Sequence, residues 1–125
     1  MDEAAEIEVF IILPRAPALL SWVAERLGSI RLIDGYEDIR IYRAAPSDVA
    51  ITVTPAIEGG EFTSILFIGD KMPWHTDLEC ARDAATALNA VVRCTPQDQG
   101  QRDTWIEVSS ACESLVRWED PPPRL

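Results

Sequence analysis

The feature that most constrains the fold is a pair of alternating apolar runs on either side of two adjacent glycines. Residues 49–57 and 62–68 alternate in polarity, and Glu58-Gly59-Gly60-Glu61 lies between them. Alternation with a period of two is typical of half-buried strands, and adjacent glycines favour the tight turns of β-hairpins. A two-residue loop predicts three pairs on the core side: Ile57 with Phe62, Val53 with Leu66, and Ile51 with Ile68.

The other side of this hairpin is more apolar than a solvent face requires. It would carry Thr52, Thr54, Thr63, Ile65 and Phe67. This composition indicates that either a helix or a partner packs against this face. Pro55 cannot donate a hydrogen bond to a neighbouring strand, which predicts an edge strand or a bulge there.

Two helices and further strands follow from the spacing of apolar residues. Leu19 to Leu27 recur at helical spacing, with Pro17 in the first turn and Gly28 as the stop. Thr76 and Glu79 form a capping-box pattern for a second helix that ends at Asn89. Alternation predicts strands at residues 7–13, 39–43, 90–94, 105–109 and 114–118, while residues 30–33 form either a short strand or a connection.

This order of elements predicts one α+β domain over residues 1–125. We expect a two-layer sandwich, with a mostly antiparallel sheet of five to seven strands, a central first strand, and both helices packed on one face. A ferredoxin-like core with added C-terminal strands is one such topology. Pro121-Pro122-Pro123 cannot join a sheet, so residues 119–125 are expected to be a flexible tail.

The charge excludes several classes of partner. The 125 residues include 21 Asp and Glu against 11 Lys and Arg, a formal charge of -10. Nucleic acids and anionic lipids are attracted by clustered Lys and Arg, so neither is an expected partner. A basic protein is the partner that this charge favours, and the alternative is that the charge only maintains solubility. The sequence predicts no secretory signal, because acids stand at positions 2, 3 and 6 where a signal would carry Lys or Arg. The apolar run at 9–13 is too short to span a membrane. We therefore expect a cytoplasmic protein.

No set of residues predicts catalysis or metal binding. Cys80, Cys94 and Cys112 lack the spacing of a disulfide framework or a zinc site and are expected to be reduced and buried. The single histidine excludes any site that needs two imidazoles. Asp70, His75, Asp77 and Glu79 could offer metal ligands, but the capping box already explains Glu79, and the helix dipole explains Asp77 as a first-turn acid. We therefore expect no catalytic residue, no metal and no cofactor.

Two segments are candidates for contact with a partner. One is the acidic turn with Asp34, Tyr36, Glu37 and Asp38, which is either a solvated turn or a contact for a basic surface. The other is the loop with Trp74, His75 and Asp77. A tryptophan beside a proline in a loop is either an interface anchor or a cap on the apolar end of its helix.

One part of the chain carries a family resemblance. It is the segment Met72-Pro73-Trp74-His75-Thr76-Asp77-Leu78-Glu79-Cys80-Ala81-Arg82-Asp83-Ala84-Ala85, followed by Val91-Val92-Arg93-Cys94. This pattern resembles small acidic bacterial immunity proteins, the partners of polymorphic or contact-dependent growth-inhibition toxins. The resemblance implies an inhibitor that occludes the active site of a basic toxin domain such as a nuclease, without chemistry of its own. It transfers no binding position.

Two other functions remain open at this point. One is a small enzyme or small-molecule-binding domain that uses His75 and a nearby acid such as Asp70. The other is a structural adaptor that forms a homodimer through the sheet face with Ile65 and Phe67.

Overall fold

A computed structural model describes residues 5–96 and 103–123 of the chain. The strands are β1 (Ala5–Ile12), β2 (Gly28–Tyr36), β3 (Ile39–Pro46), β4 (Ala50–Thr54), β5 (Phe62–Gly69), β6 (Val92–Cys94), β7 (Thr104–Val108) and β8 (Glu113–Arg117). The helices are α1 (Ala16–Leu27) and α2 (Asp77–Leu88). A single 3-10 turn, Ile57–Gly59, lies between β4 and β5.

The described strands form one sheet in the order β2-β3-β4-β5-β1-β6-β7-β8, and every neighbouring pair is antiparallel. β1 is central, as expected, and α2 connects β5 to β6 across it in a split βαβ arrangement. The predicted α+β class is confirmed. The described residues form eight strands rather than five to seven, because residues 28–36 form a complete strand. A bulge at Ile33 interrupts the alternation of this strand, which hides it in the sequence.

The core lies between one face of the sheet and both helices. From the sheet it takes Ile7, Val9, Ile11, Ile51, Ile65 and Phe67, and from the helices Leu19, Trp22, Val23, Leu27, Cys80, Ala81, Ala84 and Ala85. The small side chains of α2 allow its backbone to approach the central strands closely. α2 and α1 also contact each other above the sheet.

The predicted helix boundaries are confirmed by their caps. The Thr76 hydroxyl oxygen accepts from the Glu79 N–H at 3.1 Å, and Asn89 ends α2 in the left-handed conformation. Gly28 ends α1 at a φ of 103°, where a Cβ atom would lie 2.2 Å from the Ala45 carbonyl oxygen. Only glycine therefore fits at this junction between α1 and β2.

The predicted register of the central hairpin is wrong by one residue. Val53 pairs with Ile65 and Ile51 with Phe67, so Ile65 and Phe67 lie in the core and Leu66 and Ile68 on the opposite face. The connection is the 3-10 turn, with Ala56 and Glu58 in left-handed conformations, rather than a two-residue turn. β4 is also an interior strand, and Pro55 follows its last residue, so the predicted edge or bulge at Pro55 is wrong as well.

A second apolar cluster covers part of the face opposite the helices. The rings of Phe10, Phe62, Trp105 and Trp118 pack there with centroids 4.8 to 5.4 Å apart. Arg93 is fully buried among them, and its guanidinium carbon lies 4.7 Å from the centre of the Phe62 ring. Its two terminal nitrogens donate to the carbonyl oxygens of Trp118 and Asp120, each at 2.7 Å. The start of the predicted tail is thereby attached to the sheet.

Candidate protein-binding site

The turn between β2 and β3 is the most exposed part of the described sheet. Tyr36 pairs with Ile39, which leaves Glu37 and Asp38 as a two-residue loop, and Glu37 has a φ of 54°. One terminal nitrogen of Arg40 donates to the Glu37 carbonyl at 2.7 Å and to the Ile39 carbonyl at 3.1 Å. These bonds hold the loop by its backbone and leave its carboxylates free to face solvent.

The acids of this turn form no ion pair with any residue that the structure describes. Among the described residues, six ion pairs engage Glu25, Asp83, Asp48, Glu113, Glu107 and Glu119. None of these pairs includes Asp34, Glu37 or Asp38. The carboxylate of Asp34 accepts only the N–H of Gly35, at 2.8 Å, in the described structure.

Strand direction brings two further acids to the same end of the sheet. β2, β4 and β1 run parallel because each is separated from the next by antiparallel neighbours. The β2–β3 turn and the β4–β5 loop therefore both lie at the end where β1 ends, and the loop adds the exposed Glu58 and Glu61. We call the five residues Asp34, Glu37, Asp38, Glu58 and Glu61 the acidic end.

Large apolar side chains lie beside these charges. Tyr36 is 72% exposed, Leu32 53% and Ile33 43%. An exposed aromatic ring among charged groups is a frequent anchor in protein interfaces, since it buries much area and loses little side-chain entropy. The turn thus combines negative charge, which attracts a basic surface, with the Tyr36 ring, which could anchor a partner by apolar contact.

The three residues of the second predicted segment, Trp74, His75 and Asp77, have different environments in the structure. Trp74 is only 6% exposed, and its ring packs against that of Phe67 with the centroids 4.9 Å apart. Its Nε1 donates to a carboxylate oxygen of Asp83 at 2.9 Å. Of the two alternatives for Trp74, the exposed anchor is wrong and the cap on the apolar end of its helix agrees with the structure, because the ring closes the core beside α2. His75 is exposed, and its backbone N–H donates to the Glu79 carboxylate at 3.3 Å.

Asp77 has a structural role. Its carboxylate accepts from the Glu8 N–H at 3.2 Å and from the Thr95 hydroxyl at 3.3 Å, so it joins the start of α2 to β1. Burial raises the pKa of this carboxyl, and the two hydrogen bonds oppose that rise. The loop that leads to Asp77 leaves β5 at the end of the sheet where β1 begins. The two predicted contact segments therefore lie at opposite ends and form no common site.

The cysteines offer no reactive thiolate in the core. Burial raises the pKa of Cys80 well above its ordinary value and that of Cys94 to about 12. Both side chains are therefore neutral thiols at physiological pH. Cys112 lies exposed between β7 and β8, so the expectation of burial is wrong there. In the part of the chain that the structure describes, no three His, Cys, Asp or Glu side chains are placed to hold a metal ion.

An open cleft lies at the same end of the sheet, where β1 ends, and the sequence did not predict it. It has a volume of about 570 Å³ and is lined by residues 12–15, Ala18, Glu61, residues 88–91 and residues 121–123. Its walls come from the start of α1, the end of α2 and the three prolines. Asp70 and His75 are not among the lining residues.

No protein-family model, curated protein or solved structure matches the chain. Neither helix of the described residues is long and apolar enough to cross a membrane.

Proposed function

We propose that this chain is an immunity-type inhibitor, which binds a basic toxin domain such as a nuclease and occludes its active site. The observation that carries the proposal is the β2–β3 turn, where the exposed acids Asp34, Glu37 and Asp38, which form no ion pair among the described residues, lie next to the exposed Tyr36 in the chain. The sequence resemblance and the net charge of -10 favour the same class of partner.

The acidic end would recognise its partner by charge and hold it by apolar contact. A nuclease domain carries Lys and Arg where it binds phosphate, and carboxylates can occupy that surface in place of the nucleic acid. Complementary charge accelerates the encounter, and a few buried anchors determine how slowly the complex dissociates. A specific complex of this kind buries roughly 1,200–2,000 Å² in total, which would extend the contact from Tyr36 to Glu58 and Glu61.

The proposed site keeps four of the seven residues that the sequence indicated. Asp34, Tyr36, Glu37 and Asp38 belong to it. Trp74 and Asp77 are left out because both are used inside the fold, and His75 is left out because it lies at the far end. The sheet face with Ile65 and Phe67 is not available as the interface of a homodimeric adaptor, because both side chains are buried beneath the helices.

The test is growth rescue by co-expression with the polypeptide encoded beside this chain. We expect the wild-type chain to restore colony formation and to form a complex with that polypeptide. Joint substitution of Glu37→Lys, Asp38→Lys and Glu58→Lys should abolish both effects. Glu6→Lys, Glu25→Lys and Asp70→Lys make the same change of net charge away from the acidic end and should leave rescue intact. Equal rescue by the two triple variants, or no rescue by the wild type, would contradict the proposal.

A second candidate, small-molecule binding, is favoured by the cleft. Ligand sites in proteins have volumes of roughly 300–1,000 Å³, and the cleft lies within that range. Ala18 lines it at the start of α1, so Ala18→Trp should fill part of the space. Ligand-detected NMR with a fragment library would show hits on the wild type that Ala18→Trp loses. Hits that persist in the variant would exclude the cleft.

A further inference from the structure

The outer strand β2 presents an open edge over nine residues. Within the described residues it pairs only with β3, so its other side keeps N–H and C=O groups that can accept another strand. Residues 31–38 are all exposed, and Leu32 and Ile33 lie in the middle of the strand. A long edge with apolar side chains is a template for strand pairing unless it is covered.

The bulge in β2 determines which side chains share a face. Leu32 pairs with Tyr42 and Asp34 with Ile41, so Ile33 is the extra residue. Arg31 pairs with Arg43, which lies two positions from Ile41 on β3. Arg31 and Asp34 therefore lie on the same face of the sheet, the face opposite the helices, at equal distances on either side of the bulge.

We propose that β2 pairs antiparallel with β2 of a second copy of this chain, about a two-fold axis at the bulge. Counting the bulge as one position, this register places Arg31 opposite Asp34 of the second copy. It also places Ile30 opposite Gly35 and Ser29 opposite Tyr36. In these two pairs the larger side chains, Ile30 and Tyr36, lie opposite the small residues Gly35 and Ser29. Leu32 and Ile33 of both copies meet at the two-fold axis.

Charge supports this register over a free edge. Arg31 lies directly across from Arg43, and like charges in that position are destabilising. Arg43 is compensated by Asp48, with an N–O distance of 2.7 Å, whereas neither Arg31 nor Asp34 takes part in an ion pair among the described residues. The two-fold pairing compensates Arg31 and Asp34 of each copy through two symmetric cross-strand ion pairs.

The dimer goes beyond the proposed inhibitor and shares two residues with its site, because the strand pair would bind Asp34 to Arg31 of the second copy and place Tyr36 opposite Ser29. Antiparallel pairing directs the two β2–β3 turns away from each other, so Glu37 and Asp38 of both copies remain accessible. The two sheets would join into one continuous sheet with an acidic end on each side. Because one strand pair is a small interface, we expect a weak dimer with a dissociation constant in the micromolar range.

Sedimentation analysis of the purified chain at increasing concentration tests the proposal. We expect the wild type to shift from the mass of one chain to that of two. Arg31→Asp and Asp34→Arg each place like charges opposite each other twice, so each should raise the dissociation constant about tenfold or more. The double variant Arg31→Asp with Asp34→Arg restores opposite charges in reversed order and should dimerise again.

Several outcomes would overturn it. These are a single-chain mass at every concentration, a dimer that the single variants leave unchanged, a double variant that stays monomeric, and open-ended assemblies. Circular dichroism establishes that each variant is folded, and Leu115→Lys on β8 controls for pairing through the other edge. The growth-rescue variants at Glu37, Asp38 and Glu58 leave Arg31 and Asp34 unchanged, so the two proposals can fail independently.

Discussion

Arg93 and Glu107 form a buried ion pair between β6 and β7, with Nε of the guanidinium 3.0 Å from Oε1 of the carboxylate. The side chain of Arg93 is completely inaccessible to solvent and that of Glu107 is 10% exposed. The other guanidinium nitrogens bind two backbone carbonyls of the segment after β8. One side chain thus connects the sheet to the residues that cross its open face.

We predict that Arg93→Met lowers the free energy of unfolding by about 3–5 kcal/mol, because it leaves Glu107 buried without its counter-charge. It also removes both donors to the carbonyls of Trp118 and Asp120. Urea denaturation measures the loss. The double variant Arg93→Met with Glu107→Leu removes both charges and should be more stable than Arg93→Met alone. A double variant that loses the sum of both single effects would show that the pair is not coupled.

Local signals in the sequence predicted most of the secondary structure. The capping pattern at Thr76 and the stops at Gly28 and Asn89 depend on backbone geometry within a few residues, so they need no tertiary information. Both helices, the central position of β1 and the antiparallel sheet followed from such signals.

The register of β4 and β5 could not be read locally. Leu66 and Ile68 are as apolar as Ile65 and Phe67, so composition does not decide which face is buried. The assumed two-residue loop decided it, and the 3-10 turn with left-handed Ala56 and Glu58 shifted the pairing by one residue. A slip of one residue exchanges the two faces of a strand.

This register makes a prediction about two adjacent residues. Phe67→Ala should lower the free energy of unfolding by about 3–5 kcal/mol, because it leaves a cavity beneath the helices. Ile68→Ala should cost clearly less, because Ile68 is half-exposed on the other face. Thermal or urea denaturation of both variants decides between the registers, since the two-residue loop would place Ile68 in the core and reverse the order.

The site was predicted only in part, for a related reason. The acidic turn is continuous in sequence, so its charge was visible. The burial of Trp74 depends on Trp22 and Phe67, and the environment of Arg93 depends on four aromatic residues from four different segments. The alternating positions of Phe10, Phe62 and Trp105 were the available signal for that second cluster, but their shared face follows only from the strand order.

Two carboxylates of α2 should respond oppositely to pH. The hydrogen bonds from Arg26, at 2.7 and 2.9 Å, lower the pKa of Asp83. Its stabilising contribution is therefore present above the ordinary aspartate pKa of about 3.9 and is lost as the pH falls through the lowered value. Burial raises the pKa of Asp77, so its contribution is present at acid pH and is lost as the pH rises through the raised value.

Asparagine variants separate these two effects. Asp83→Asn keeps an oxygen that can accept from Trp74 but loses the charge, so it should be less stable than the wild type at pH 7, with a smaller difference near pH 3 (about one unit below the ordinary aspartate pKa). The free energy of unfolding of Asp77→Asn, relative to that of the wild type, should be higher at pH 7 than at pH 3. Urea denaturation between pH 3 and pH 7 measures the stability of each variant relative to the wild type. If this relative stability changed with pH in the same direction for both variants, the opposite pKa shifts of Asp83 and Asp77 would be contradicted.

The proposed role of the acidic end predicts how fast a basic partner binds. The charges of Glu37 and Asp38, which form no ion pair in the described part of the chain, act over about one Debye length, roughly 10 Å at 0.1 M salt and 3 Å at 1 M. Added salt should therefore slow association steeply and change dissociation little. Glu37→Gln with Asp38→Asn should reduce both the association rate at low salt and its salt dependence, whereas Glu25→Gln with Asp70→Asn should affect them less. Stopped-flow measurements with the purified toxin domain test this, and an association rate independent of salt would rule out electrostatic steering while leaving inhibition itself intact.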